Sequence, residues 1–160
     1  MRLVPVLMLF TFLFSCSEKS VFEGKKDFGP EGWSIEQPAL LEFEIEDPSR
    51  PYDLYLHIRV SEEYPFHNLY VKYFVENSTG RLLTSELSNI ILFDPKSGDP
   101  KGNGLGGLYD IQKVFLRNYY FPKAGGYQFR VTQFMREDML PGLHAVGLKV
   151  VPKTVEESDN

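Results

Sequence analysis

The chain of 160 residues is long enough for one compact domain and too short for two comfortable ones. Hydrophobic residues make up 42% and charged residues 24%, which excludes a disordered tail, while 11 Pro, 13 Gly, 13 Phe and 9 Tyr favour short strands between turns over a helical bundle. A net charge of −5 without a basic stripe excludes phosphate-neutralising nucleic-acid binding, and a single cysteine excludes a disulfide framework or a multi-cysteine zinc site.

At the N-terminus, Met1-Arg2 precedes an uncharged apolar run from Leu3 to Phe14, then Ser15-Cys16. That run is too short to span a bilayer, which takes about 20 apolar residues. One positive charge, a short apolar stretch and a small residue at its end are the pattern of an export signal over residues 1–15. The only cysteine follows directly, with Leu13 three positions before it, an arrangement that resembles a bacterial lipobox. Cys16 is therefore expected to be acylated and to hold the protein to a membrane. Residues 16–20 read as a short polar tether. By analogy with lipoprotein sorting, Ser17 after the cysteine points to the outer membrane. A lone Glu18 beside Lys19, instead of a run of acids, points to its periplasmic face.

The body reads as strands. Leu41, Phe43 and Ile45 alternate with Glu42, Glu44 and Glu46; Leu54, Leu56, Ile58 and Val60 alternate with Tyr55, His57 and Arg59. Leu69, Val71, Tyr73 and Val75 alternate with Tyr70, Lys72 and Phe74, a strand expected to be covered on both faces. Asn77–Gly80 is a turn, and residues 82–93 continue less regularly, with Leu83, Leu87, Ile91 and Phe93 expected inside. Asp94 to Gly107 reads as the longest loop. Strands are expected at Ile111–Phe121, Gly126–Met135 and Leu143–Val151, with one helical turn between Met135 and Leu140 and an acidic tail at 153–160. Seven or eight strands without βαβ alternation predict an all-β, antiparallel two-sheet β-sandwich over residues 21–152, of immunoglobulin-like or jelly-roll-like type, with a closed barrel as the alternative.

No constellation assembles a catalytic, metal or cofactor site. Gly102–Gly107 contains the letters G-x-G-x-x-G, but it is not placed between a strand and a helix as a dinucleotide site requires. Asp94, Asp99 and Asn103 lack the alternating ligands and closing Glu of a calcium loop, and turn chemistry explains them. His57, His67 and His144 form no paired metal motif, and no nucleophile elbow is present. Trp33, Tyr119, Tyr120, Phe121 and Tyr127 have the composition of a glycan platform, although a sandwich core requires the same aromatics.

Three segments carry a resemblance. Tyr52 to Arg59 is followed by Glu63-Tyr64-Pro65-Phe66-His67-Asn68-Leu69-Tyr70; next comes the Gly104-Leu105-Gly106 loop; last, Gly126 to Phe129 runs on to Gln133–Arg136, Leu140-Pro141-Gly142 and Val146-Gly147-Leu148. In this order, and with the lipobox, they resemble the GldH-type gliding-motility lipoprotein family of Bacteroidota. Leu82–Phe93 does not match it closely, and Phe14 is bulkier than usual for a lipobox. The resemblance implies an accessory lipoprotein of the gliding and type IX secretion apparatus. Such a protein acts by contact with other envelope lipoproteins or with motility and secretion proteins, not by catalysis. The turn Tyr64, Phe66, His67 and Asn68, beside Arg59, is the expected partner surface; a purely structural role for these residues is the alternative. A glycan-binding lipoprotein of a polysaccharide uptake system is the competing function.

Overall fold

Alternation of apolar and polar side chains produces the sheets, and each strand turns its apolar row inward. The computed structural model describes residues 19–153, so the expected export signal, Cys16 and nearly all of the expected tail lie outside the described residues. In chain order the elements are β1 (Phe22–Asp27), β2 (Trp33–Ser34), β3 (Ala39–Ile45), β4 (Tyr52–Ser61), β5 (Asn68–Asn77), β6 (Leu82–Ile91), β7 (Asn103–Leu105), β8 (Leu108–Tyr119), β9 (Gly125–Gln133), β10 (Met139–Leu140) and β11 (Leu143–Pro152). A five-stranded sheet ordered β1-β11-β4-β8-β7 faces a four-stranded sheet ordered β3-β9-β5-β6, with a β10-β2 ribbon at one end. Every pairing is antiparallel. The expected sandwich is present, in two separate sheets and not as one closed barrel.

The core lies between the sheets. Leu41, Phe43 and Ile45 of β3, Leu54 to Val60 of β4 and Leu69 to Val75 of β5 bury their alternate apolar side chains there. Burying each such side chain contributes about 1.5–3 kcal/mol, so this alternating pattern is what drives the two layers together. Phe43, Tyr52, Phe121 and Tyr127 form one aromatic cluster with edge and stacked contacts at 4.6–5.8 Å. Trp33 stacks on Phe28 at 5.1 Å and donates its Nε1–H to the Gln37 carbonyl at 2.8 Å.

Several expectations need correction. Leu83 and Phe93 are half-buried against the core as expected, but the end of β6 has the opposite phase: Ile90 and Leu92 are buried, whereas Leu87 and Ile91 are exposed. Its register with β5 sets Leu69 against Ile90 and Tyr73 against Glu86, with an irregularity at Val75/Glu76. The inner row of this edge strand is thus Thr84, Glu86, Ser88 and Ile90. No helical turn forms between Met135 and Leu140. The buried Gln133 bonds to both sides of a bend there, and the chain then pairs as β10 with β2. The expected loop closes as a hairpin, β7 to β8. Its two-residue turn is Gly106-Gly107, with φ of +65° and +78°, the left-handed pair that a tight hairpin between Leu105 and Leu108 requires. The outer side of β5 is half-open: Tyr70 is exposed, and Phe74 is covered by Arg130 at 3.9 Å and Lys72 at 5.4 Å.

The strands run between two distinct ends. At the proximal end the chain enters the domain, Val21 N–H bonding to the Val150 carbonyl at 2.9 Å, beside the turns Asp47–Arg50, Asn77–Gly80 and Phe121–Gly125. The distal end gathers the Tyr64–Asn68 turn, the residues after β6, the Gly106-Gly107 hairpin and the β10-β2 ribbon.

Candidate functional site

The β4–β5 turn is built from its main chain outward. Ser61 N–H reaches the Gly142 carbonyl at 2.8 Å, and Tyr64 N–H closes on the Ser61 carbonyl at 3.1 Å. Tyr64 is 5% exposed, its hydroxyl donates to the Asn68 carbonyl at 2.9 Å, and burial pushes that phenol well above its usual pKa. Its ring meets the half-buried Phe66 edge-on at 5.7 Å. His67 is exposed, and its carbonyl accepts from the N–H groups of Leu92 and Phe93 at 2.8 and 2.9 Å, so the turn also holds the segment after β6. The Asn68 Nδ2 donates to Asn89 Oδ1 at 2.9 Å. Within this turn Pro65 and His67 are therefore the open side chains, Phe66 and Asn68 are half-open, and Tyr64 is core.

Arg59 occupies another surface, the outer face of the larger sheet. It donates from Nε and a terminal nitrogen to the two oxygens of Asp110, both at 2.8 Å, and His57 Nε2 lies 3.1 Å from the same carboxylate. The guanidinium holds the Asp110 carboxyl below its usual range, and Asp110 raises Arg59 in return. Such a bidentate pair fixes side-chain geometry more than it stabilises the fold, because both groups are substantially open to water.

Apolar exposure is concentrated at the distal end. Ile35, Tyr70, Ile91, Leu105, Leu108, Phe134 and Met139 are there, against Val21, Leu82 and Tyr120 at the proximal end. Leu105, at the hairpin tip, is 92% exposed, and Phe134 is 56% exposed. Scattered exposed apolar side chains are ordinary; this set differs in being collected at one end of the sandwich. Periodicity missed this set, because its members lie on turns, at strand ends and on the outer row of β6.

The proximal end carries a groove of about 1070 Å³. Phe22, Phe43, Tyr52 and Tyr127 line it together with Glu42, Glu44, Asp47 and Glu76. Asp47 is held below the ordinary carboxylate range by the Ser49 hydroxyl and backbone N–H. Asp94 lies near 2 through hydrogen bonds from the Lys101 ammonium and the backbone N–H groups of Lys96 and Ser97. Among the described residues the three displaced carboxyls, Asp47, Asp94 and Asp110, move downward, whereas a carboxylic general acid needs an upward shift. Asp94 spends its oxygens on its own turn and on Lys101, which is turn chemistry. Of the aromatics weighed as a platform, Trp33, Phe121 and Tyr127 are in the core, Tyr119 is half-buried, and Tyr120 stands exposed alone.

Comparison with known proteins covers nearly the whole chain. A family model described as GldH lipoprotein matches residues 20–150. The chain is 27% identical to the gliding motility lipoprotein GldH of Flavobacterium johnsoniae, over 96% of this chain and 95% of that protein. It is 24% identical to a gliding motility lipoprotein GldH homolog of Christiangramia forsetii, over 96% and 95% of the two chains.

Proposed function

The chain belongs to the GldH lipoprotein family, and from that premise we propose that it works as a non-enzymatic docking component of the gliding-motility and type IX secretion apparatus. In this reading residues 1–15 are removed, Cys16 carries the acyl chains, residues 16–20 are the tether, 21–152 form the binding domain, and 153–160 are an acidic tail. The protein is anchored in the outer membrane on its periplasmic side. Each buried CH₂ of the anchor contributes about 0.8 kcal/mol, so two or more chains hold stably. From Cys16 to Val21 the backbone reaches at most about 18 Å, which keeps the proximal end close to the membrane. A ten-residue strand then extends about 33 Å, directing the distal end away from the lipid.

The observation that carries the reading is the collection of exposed apolar side chains at that distal end, opposite the tether. Its partners are other envelope lipoproteins or motility and secretion proteins. The turn Tyr64–Asn68 contributes through Phe66 and His67, with Tyr64 and Asn68 holding its shape, and the Arg59–Asp110 pair lies on the adjoining face. The downward-shifted carboxylates and the buried aromatics favour contact over catalysis or glycan binding.

The test combines anchoring and docking. Cys16→Ala is expected to leave the membrane fraction after a salt wash; retention would contradict the lipid anchor. Replacing Phe66 and His67 together by Ala is expected to reduce recovery of motility or secretion proteins while the melting curve stays in place. A large fall in melting temperature with unchanged recovery would assign both residues to the fold alone.

A further inference from the structure

Two turns of the proximal end are tied to each other. Ser78 N–H donates to the Gly126 carbonyl at 3.0 Å, and Asn77 pairs with Tyr127, so the Asn77–Gly80 turn lies against the chain that leaves the Phe121–Gly125 turn. Both turns are fixed from within. Asn77 Oδ1 accepts from the Thr79 hydroxyl at 2.7 Å and from the Thr79 and Arg81 N–H groups at 3.1 and 2.9 Å. Tyr127 donates its hydroxyl to the Lys123 carbonyl, and Tyr119 packs edge-on against Phe121 at 4.9 Å.

Around these fixed residues, apolar and cationic side chains stand open together. Tyr120 is 55% exposed and Leu82 49%, and Pro122 is open as well. Arg81, Arg117 and Lys123 are exposed and join no ion pair among the described residues. Two carboxylates on the neighbouring strands are already engaged. Glu76 is held by Arg130 at 2.9 Å, and the buried Asp53 accepts from the Asn118 N–H at 2.9 Å.

The other side of the same end has the opposite sign. Glu42, Glu44, Glu46 and Asp47 line the groove with Val21 and Phe22, and Arg50 is the cation among them. Lys153, which the acidic tail follows, donates its N–H to the Pro51 carbonyl at 2.8 Å, next to Arg50. The acids therefore gather where β1 and β3 meet, and the free cations where β8 turns into β9 and β5 into β6. β3 and β6 are three strands apart, about 14 Å.

We propose that the cationic corner is a membrane-docking surface. Tyr120 and Leu82 enter the headgroup layer, Arg81, Arg117 and Lys123 meet lipid phosphates, and the acidic corner turns away. This rests on the reading of Cys16 as a lipid anchor, but the tether alone does not select the corner. Val21 leads into β1, and β8 is three strands along the larger sheet, about 14 Å. The stretch from Cys16 to Val21 reaches at most about 18 Å, so either corner can come to the lipid. Charge selects between them, because an anionic surface attracts the three cations and repels the four carboxylates. A tyrosine beside a lysine also suits the boundary between hydrocarbon and headgroups, where its ring is buried and its hydroxyl stays wet. Since both turns are ordered beforehand, the contact costs little conformational entropy. The domain then leans towards its β6–β8 flank, and the acidic groove stays open to water.

The test reconstitutes the full-length acylated protein in vesicles of phosphatidylethanolamine and phosphatidylglycerol. With Cys16 acylated, Ala124→Cys, Glu46→Cys or Leu105→Cys supplies the one free thiol, which carries a fluorophore quenched by spin-labelled lipid. Quenching is expected to be strong at 124, weaker at 46 and absent at 105. Arg81→Glu with Lys123→Glu should lower the quenching at 124 roughly fivefold or more, and added salt should act in the same direction. Tyr120→Ser should lower it as well, with the melting curve in place. Quenching at 46 equal to or above that at 124 overturns the proposal, as does a signal at 124 indifferent to the charge reversal; flotation of the protein with the vesicles then still supports the anchor. A chain that does not float overturns both. Shielding of 124 in the host's membranes without quenching in pure lipid assigns the corner to a protein and overturns the lipid contact. Where the reversal fails to fold, the comparison of 124 with 46 in the otherwise unaltered chain decides.

Discussion

Replacing Gln133 by Leu tests how the distal surface is held in place. Gln133 is 1% exposed at the end of β9. Its Nε2 donates to the Glu137 carbonyl at 2.6 Å, and its Oε1 accepts from the Met135 N–H at 2.8 Å. These two bonds pin the bend that presents Phe134 and leads into Met139. Leu fills a similar volume but leaves both main-chain groups without a partner. Each such loss costs about 1–3 kcal/mol, at the lower end where water reaches the group. The added apolar burial returns about 1 kcal/mol, so the net cost is about 2 kcal/mol. For a domain of this size each kcal/mol moves the midpoint by about 2–4 °C, which predicts a fall of about 4–8 °C. Thermal unfolding followed by circular dichroism reads that shift, and hydrogen exchange should show Met135 losing protection before the sheets do. A midpoint within about 1 °C of the wild type, with Met135 exchange unchanged, would refute the reasoning.

Two glycines with positive φ should respond differently. At Gly142 (φ +76°) an added Cβ would lie 2.5 Å from the Tyr64 backbone nitrogen, so Gly142→Ala should destabilise the domain by more than about 2 kcal/mol in urea unfolding. Gly106 (φ +65°) has open space around it, so Gly106→Ala should cost only the left-handed penalty of about 1–2 kcal/mol. Trp33→Ala, which empties a fully buried site against Phe28, should cost about 3–5 kcal/mol by the same measurement. For Asp94, NMR titration should find the folded midpoint near 2, rising towards the ordinary carboxylate value in Lys101→Ala. Since the folded value is depressed, the small stabilisation from Asp94 is present above its unfolded value and is lost as pH falls from about 4 towards 2.

The strands most legible in the sequence were those whose apolar row meets the core, β3 at a sheet edge as well as β4 and β5 inside their sheets. In β4 and β5 one face meets the core, and alternation follows directly. β6 is an edge strand whose outer row is open to water, so Leu87 and Ile91 could sit outside, and there apolar letters gave the wrong phase. β1 shows almost no alternation in Phe-Glu-Gly-Lys-Lys-Asp, because main-chain pairing with β11 forms it more than burial does. The Gly106-Gly107 hairpin had a readable signal, two glycines flanked by leucines, which was masked by the surrounding Pro, Gly and Asp. At the candidate surface, Tyr64 and Phe66 are both aromatic beside a proline, and only the packing decides that Tyr64 goes inside. Arg59 and Asp110 are 51 residues apart, so their pairing is a property of the β4–β8 register and not of either segment.

Docking at the distal end is tested most directly by comparing the two ends in the host's own membranes. A photo-crosslinking residue placed at Leu105, on the distal hairpin, is set against one at Tyr120, exposed at the proximal end. Crosslinks from position 105, and not from 120, to a motility or secretion protein identified by mass spectrometry are the result expected. Crosslinks to such a protein from position 120 with none from 105 would contradict the account.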